Sequence, residues 1–353
     1  MNSEFFEAVK MLEKEKGVPA EELYEKISTA IVVAVRRDYG GKEVVFCDIT
    51  PENEEIRVYL RKTVVTEIED SDMEILVEDA QKYKAGAVAG DIVEIDLETK
   101  KFGRIAAQTA KHVIRQGIRD AERGQVMQEF QSKQQEVVTA KVQRIDPRTG
   151  NITVEIGKAE AILPKTEQIP DEYLTEGDLI KVYIVDVKDT EKGPKAMISR
   201  THSGLLKRLF ETEVPEIYEG IIEIKAIARE AGSRSKIAVY SLEEGIDPVG
   251  SCIGPRSARV GKIVDALGGE KIDIIPYSDI HENFVAASLA PAEVISVTPD
   301  NDIPNFYHVT VPNSQLSLAI GNKGQNVRLA AKLTGWKIDI KADMNFEIYS
   351  DEQ

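Results

Sequence analysis

The stretch LAIGNKGQNVRLAAKLTGWKIDI, Leu318 to Ile340, decides how this chain is read. It contains no carboxylate before Asp339, although the 353 residues include 61 Asp or Glu against 45 Lys or Arg, a formal charge of -16. A second stretch upstream, DPVGSCIGPRSARVGKIVDALGGEKIDII from Asp247 to Ile275, repeats its order. Each has Ile-Gly, two residues, a small residue, an amphipathic helical pattern, a glycine turn and a strand that includes Lys-Ile-Asp-Ile. The spacings agree, apart from one extra residue in the glycine turn of the first copy. The match extends further upstream: SGLLKRLFETE, IIEIKAIARE and SKIAVYS in the first copy correspond to IHENFVAASL, AEVISVTP and FYHVTVP in the second. The unit is therefore an internal repeat of about 75 residues, read as α-β-β-α-α-β.

An Ile-Gly-x-x-Gly loop between two short helices has a physical logic. Glycine lets the chain bend sharply and lets another backbone come close, and the amides at the start of the second helix carry partial positive charge. Such a loop can track a phosphate backbone, and a GxxG loop is the nucleotide clamp of KH modules. With the helix first and the helical pair separating the strands, both units read as type II KH domains. The candidate RNA contacts are Gly254, Pro255, Arg256, Ser257, Arg259 and Lys262 in the first copy. In the second they are Ile320, Gly321, Asn322, Lys323, Gly324, Gln325, Asn326 and Arg328. Charge placement supports this. Residues 202–353 hold 15 Lys or Arg against 22 Asp or Glu, yet Ile303 to Ile338 carries four cations and no carboxylate, and Pro248 to Val264 carries three cations and none. Local sign, not net charge, decides which surface a polyanion can approach.

The rest of the chain divides by periodicity. Residues 1–38 show two helical patterns, the first through Phe5, Val9 and Leu12 and the second through Leu23, Ile27, Ile31 and Val35. EVVFCDI, IRVYLRKTVVTEI and DIVEIDL then read as strands, with a short helix over Val77 to Lys84, which makes an α+β amino-terminal domain. From Phe102 to Gln135 runs one long helical pattern, a rod of roughly 50 Å. Its cations Arg104, Lys111, Arg115, Arg119 and Arg123 recur at steps of seven or four. They form either a solvated face or a contact surface for nucleic acid or an acidic partner. Next come VVTAKVQRI, NITVEI, AEAILP, LIKVYIVDVK and KAMIS, with the turn DPRTGN between the first two. Five short strands in so little chain suit a β-barrel of the oligonucleotide-binding (OB) type, though SH3-like barrels share the pattern.

Composition, with 42% hydrophobic and 30% charged residues, predicts several aliphatic cores. Cys47 and Cys252 stand apart from each other and from His at ligand spacing, and read as small buried hydrophobes. No signal-peptide pattern opens the chain and its longest apolar run is too short to span a bilayer, so a cytoplasmic protein without a membrane partner is expected. Among His112, His202, His281 and His308 none forms a metal-type pair or sits beside a nucleophile, and GPRSARVGKI lacks the glycine and hydroxyl positions of a P-loop. Neither catalysis nor a cofactor is expected.

Five stretches make the chain similar to the NusA family of bacterial transcription elongation, termination and antitermination factors. They are FGRIAAQTAKHVIRQGIRDAER, SRTHSGLLKRLFETEVPEI, AREAGSRSKIAVYS, DPVGSCIGPRSARVGKIVDALGGEKIDII and AIGNKGQNVRLAAKLTGWKIDI, in the family's order. The resemblance implies a multidomain α+β protein. Residues 1–133 would be an amino-terminal domain binding RNA polymerase, including the connecting helix 102–133. Residues 134–201 would be a five-stranded S1 barrel, and 202–277 and 278–353 the two KH domains, joined in one surface for single-stranded nascent RNA. It implies action on pausing, termination and antitermination as a monomer, alongside other Nus-type antitermination factors, and no catalysis. Three departures stand out: Ser257 replaces the second glycine of the first loop, the barrel's aromatics are only Tyr173 and Tyr183, and the acidic carboxyl-terminal repeats of some relatives are absent. A ribosome-associated or RNA-chaperone protein is the alternative, and an accessory subunit of an RNA-degrading enzyme a more distant one.

Overall fold

The computed structural model describes residues 2–37, 41–191 and 193–343, and the side chains of 2–4, 15–16 and 99–106 lie outside the description. The chain splits into two compact units, residues 1–125 and 126–353, with the long helix passing the boundary.

In the first unit, α1 (Asn2–Lys16) and α2 (Ala20–Arg36) precede β1 (Val45–Thr50), β2 (Glu55–Val65), β3 (Glu74–Leu76), α3 (Val77–Ala80), β4 (Ile92–Asp96) and the start of α4 (Thr99–Ser132). The buried face of α2, Leu23, Ile27, Ile31 and Val35, is the stripe expected from its period, and most of it packs on Val45, Cys47, Val58 and Leu60 of the sheet. Strand β2 is central, pairing antiparallel with β1 and β4 and parallel with β3. One expectation is corrected here: the helix over 77–84 ends at Ala80 and continues as turns, and the three-residue β3, too short to show alternation in sequence, joins the sheet beside it.

The second unit opens with the end of α4, whose Phe130 enters the core of a closed barrel. Its strands are β5 (Val137–Ile145), β6 (Ile152–Ile156), β7 (Ala159–Leu163), β8 (Leu179–Thr190) and β9 (Gly193–Ser199), closed in the order β5-β6-β7-β9-β8. The buried-exposed alternation of β7 is the period-two signature of a barrel wall.

Two three-stranded units follow. The first contains α5 (Ser203–Glu213), α6 (Pro215–Tyr218), β10 (Ile222–Glu230), β11 (Arg234–Ser241), α7 (Pro248–Ile253), α8 (Ala258–Ala266) and β12 (Lys271–Pro276). The second contains α9 (His281–Ser288), β13 (Ser296–Pro299), β14 (Phe306–Pro312), α10 (Leu316–Ile320), α11 (Gln325–Thr334) and β15 (Lys337–Asp343). Both sheets put the middle strand antiparallel to the first and parallel to the last. The repeat seen in sequence is thus a repeat of topology.

The units are tied by side chains that sequence periodicity does not reveal. Tyr183 of the barrel stacks on His202, ring centroids 5.0 Å apart, and covers Gly204, where a Cβ would lie 2.5 Å from the ring. Arg200, 1% exposed, pairs with Glu172 and donates to the carbonyls of Lys181 in the barrel and Ala266 in the first repeat. Between the repeats, alanines 226, 228 and 238 leave one face of the first sheet flat, and Phe284, Leu329, Leu333 and Trp336 of the second repeat fill it. The sheet's other face packs on α5, α7 and α8 through Ile237 and Val239. Lys236, fully buried, donates to Asp273 at 2.9 Å and to the Ala290 carbonyl at 2.7 Å, fastening the second repeat to the first.

Candidate nucleic-acid interface

Both loops adopt one backbone. Gly254 has φ 72°, ψ 171° and Gly321 has φ 76°, ψ 171°. Arg256 at φ 53°, ψ 34° matches Lys323 at φ 50°, ψ 31°. Ser257 at φ 60°, ψ 23° matches Gly324 at φ 73°, ψ 18°. The hydrogen bonds agree as well. Gly254 N donates to Gly250 O and Ser257 N to Gly254 O, as Gly321 N does to Ser317 O and Gly324 N to Gly321 O. The serine therefore does not change the path of the first loop. It holds the left-handed conformation that glycine would take without strain.

The first glycine of each loop is required for a reason the sequence hides. Five residues on, a side chain turns back beneath it and ties the preceding helix. In the first loop Arg259 Nη1 donates to the Ser251 carbonyl at 2.6 Å. In the second, Asn326 Nδ2 donates to the Ala319 carbonyl at 3.0 Å and the Leu289 carbonyl at 2.9 Å. A Cβ on Gly254 would lie 2.7 Å from Arg259 Cγ, and one on Gly321 would lie 2.7 Å from the Asn326 amide nitrogen. Asn326 is 2% exposed. Arg259 and Asn326, read from sequence as RNA contacts, also brace the loops in the structure.

Carboxylates absent from the sequence windows are present in space. Arg259 pairs with Glu216 at 2.9 Å and Lys262 with Glu213 at 3.0 Å, both acids coming from the helices that open the first repeat. Arg328 grips Glu230 with a two-pronged contact, Nε to Oε1 at 2.7 Å and Nη2 to Oε2 at 3.1 Å, and its Nη1 donates to the Lys323 carbonyl at 3.2 Å. Gln325 Nε2 donates to the same carboxylate and to Ser233 Oγ, each at 2.8 Å. The hydrogen bond from Arg328 holds the Glu230 carboxyl below its ordinary pKa, against the opposing effect of burial. Arg256 and Lys323 at the loop tips are exposed, and among the described residues neither pairs with a carboxylate. Pro255, Ser257, Ile320 and Asn322 are exposed beside them.

On α4, Lys111, Arg115 and Arg119 are exposed at intervals of four, on one side of the helix. Arg123 is half-buried and has an interaction partner, and the side chain of Arg104 lies outside the described residues. The barrel offers one exposed aromatic, Tyr173 at 89%, because Tyr183 is spent on His202. Both cysteines are buried, and burial pushes the Cys47 thiol up to about 11 and the Cys252 thiol up to about 12, so neither is a ready nucleophile. No described helix is long and apolar enough to cross a membrane.

Comparison with known proteins accounts for nearly all of the chain. Residues 4–124 match the NusA N-terminal domain, 132–198 the S1 RNA binding domain, 200–277 the NusA-like first KH domain and 281–348 the NusA-like second KH domain. The transcription termination/antitermination protein NusA of Halalkalibacterium halodurans is 50% identical over 343 residues, 97% of this chain and 89% of the relative. That of Bacillus subtilis is 50% identical over 343 residues, 97% of this chain and 92% of the relative. The solution structure of the N-terminal domain of NusA from B. subtilis is 45% identical, covering 35% of this chain and 99% of that domain, with a TM-score of 0.31.

Proposed function

Because the chain belongs to the NusA family of transcription termination/antitermination proteins, we propose that it binds RNA polymerase through residues 1–133 and nascent single-stranded RNA through residues 134–353. In this reading 134–201 is the S1 domain, 202–277 the first KH domain and 278–353 the second, of which 344–353 lie outside the described residues. The observation that carries the RNA half is the shared loop backbone, with Arg256 and Lys323 exposed at equivalent tips. A left-handed pair of residues ahead of a helix presents amides and a mobile cation to a phosphate. Gly254, Pro255, Arg256 and Ser257, with Ile320, Gly321, Asn322, Lys323 and Gly324, make the contact. Lys262, Gln325 and Arg328 add charge and hydrogen bonds, while Arg259 and Asn326 shape the loops.

The exposed stripe Lys111, Arg115 and Arg119 faces RNA or polymerase, and Arg123 and Arg104 belong to the same reading of the sequence, the side chain of Arg104 lying outside the described residues. The protein works in the cytoplasm as a monomer and without catalysis, and joins other Nus-type factors during antitermination. The test is in vitro transcription by the matching bacterial polymerase on a pause-site template, with the full chain and with a Lys323→Asp, Asn322→Asp variant. The wild-type chain should change pause lifetime and the variant should lose the RNA-dependent part. A chain that neither alters pausing nor is retained by core polymerase would return the reading to an RNA chaperone.

A further inference from the structure

Glu230 occupies a seat built for an anion. Three N–H donors from the second loop converge on its carboxylate: Arg328 Nε at 2.7 Å, Arg328 Nη2 at 3.1 Å and Gln325 Nε2 at 2.8 Å. The guanidinium fork that takes two carboxylate oxygens side by side takes two phosphate oxygens in the same way. The carboxylate does not come from the second repeat. It stands at the last residue of β10 in the first repeat, nearly a hundred residues away, beside the turn that carries Ser233.

We propose that Glu230 is an internal substitute for an RNA phosphate, which a phosphodiester of single-stranded RNA displaces from Arg328 and Gln325 when the strand follows the loop past Lys323. The proposal rests on the reading of the second loop as an RNA contact and adds to it a residue that sets affinity. The exchange is physically inexpensive. Arg328 is 46% and Glu230 23% exposed in their side chains, so the pair is wetted and weak, unlike the buried Arg229–Glu270 pair at 2% and 0%. Because Nη1 of Arg328 stays on the Lys323 carbonyl, the guanidinium is already aimed and only the anion changes. An internal competitor lowers affinity by the same factor for every RNA that must displace it, so a short RNA with few other contacts is released first while a strand that reaches several contacts at once stays bound. It works as a threshold against short or poorly placed RNA.

The experiment is fluorescence anisotropy of a labelled, unstructured single-stranded RNA with the full-length chain, titrated at several salt concentrations. The variants are Glu230→Gln, Arg328→Gln, their combination, Lys323→Ala, and Glu244→Gln as the loss of one exposed negative charge elsewhere in the first repeat. Glu230→Gln should tighten binding about three- to fivefold, the worth of an exposed ion pair, and clearly more than Glu244→Gln. Its salt slope should equal the wild-type slope, since Arg328 meets phosphate in both. Arg328→Gln should reduce the slope by about 0.7 and abolish the gain from Glu230→Gln. A gain no larger than that of Glu244→Gln, or one that survives without Arg328, overturns the proposal while a weakened Lys323→Ala variant keeps the loop as an RNA contact. Unchanged affinity in Lys323→Ala overturns both. Emission of Trp336 reports the fold of each variant, and Glu230→Ala replaces Glu230→Gln if the latter perturbs it.

Discussion

Replacing Gly321 by alanine isolates the physical requirement that shapes both loops. At φ 76°, ψ 171° the residue sits in a region open essentially to glycine alone, and a side chain held there costs about 1–3 kcal/mol. The new Cβ would also lie 2.7 Å from the backbone nitrogen of Asn326 and 2.8 Å from its Cβ, neither of which is the far end of a flexible chain. Relief requires moving the start of α11, and with it the Asn326 amide that holds Ala319 and Leu289. Losing those bonds from a buried group adds about 1–3 kcal/mol. Gly321→Ala should therefore destabilise the second repeat by about 2–6 kcal/mol. Gly324→Ala is the internal control. Its φ of 73° with ψ 18° is the ordinary left-handed region and nothing lies within 4 Å of its Cβ, so about 1–2 kcal/mol is expected. Denaturant unfolding followed by fluorescence reads this locally, because the single tryptophan, Trp336, packs between the repeats against His281, Phe284 and Tyr307. If the two variants agree within about 0.5 kcal/mol, the account of why the first glycine is needed is refuted.

Ser257→Gly relieves a left-handed serine and should raise stability by about 1 kcal/mol at most, seen as a higher midpoint in thermal unfolding. Arg229→Ala leaves Glu270 buried with only Ser235 and Gly232 as donors and should cost about 3–5 kcal/mol in denaturant unfolding. For Asp273, burial alone would raise the pKa, but the hydrogen bond from Arg234 and the charge of Lys236 outweigh it and hold the pKa below its ordinary value. Its stabilising contribution is thus complete above the unfolded-state pKa of about 3.9 and is lost as pH falls through the lower folded value. Asp273→Asn should flatten the acid limb of stability against pH.

How much was legible in the sequence follows from the range over which each interaction acts. The barrel strands, the second stripe of the amino-terminal helices and both loop motifs were readable, because period and turn chemistry are local. The two loops share a backbone although Ser257 stands where the second has Gly324, the serine taking the left-handed conformation at some cost rather than changing the path. The three-residue β3 was not readable because its pairing partner, not its own pattern, creates it.

The sequence by itself determined the repeat, its α-β-β-α-α-β order and the exposed cations Arg256 and Lys323 at equivalent tips. It also suggested two acid-free surfaces, and there tertiary structure decided otherwise. Glu213 and Glu216 come from the opening helices of the first repeat and Glu230 from its hairpin, so the charges around Lys262, Arg259 and Arg328 are neutralised across gaps that no window of sequence spans. Charge interactions act through a few ångströms of space regardless of separation along the chain. A run without carboxylates marks a surface that is free to be positive, and only the folded neighbours fix how positive it is.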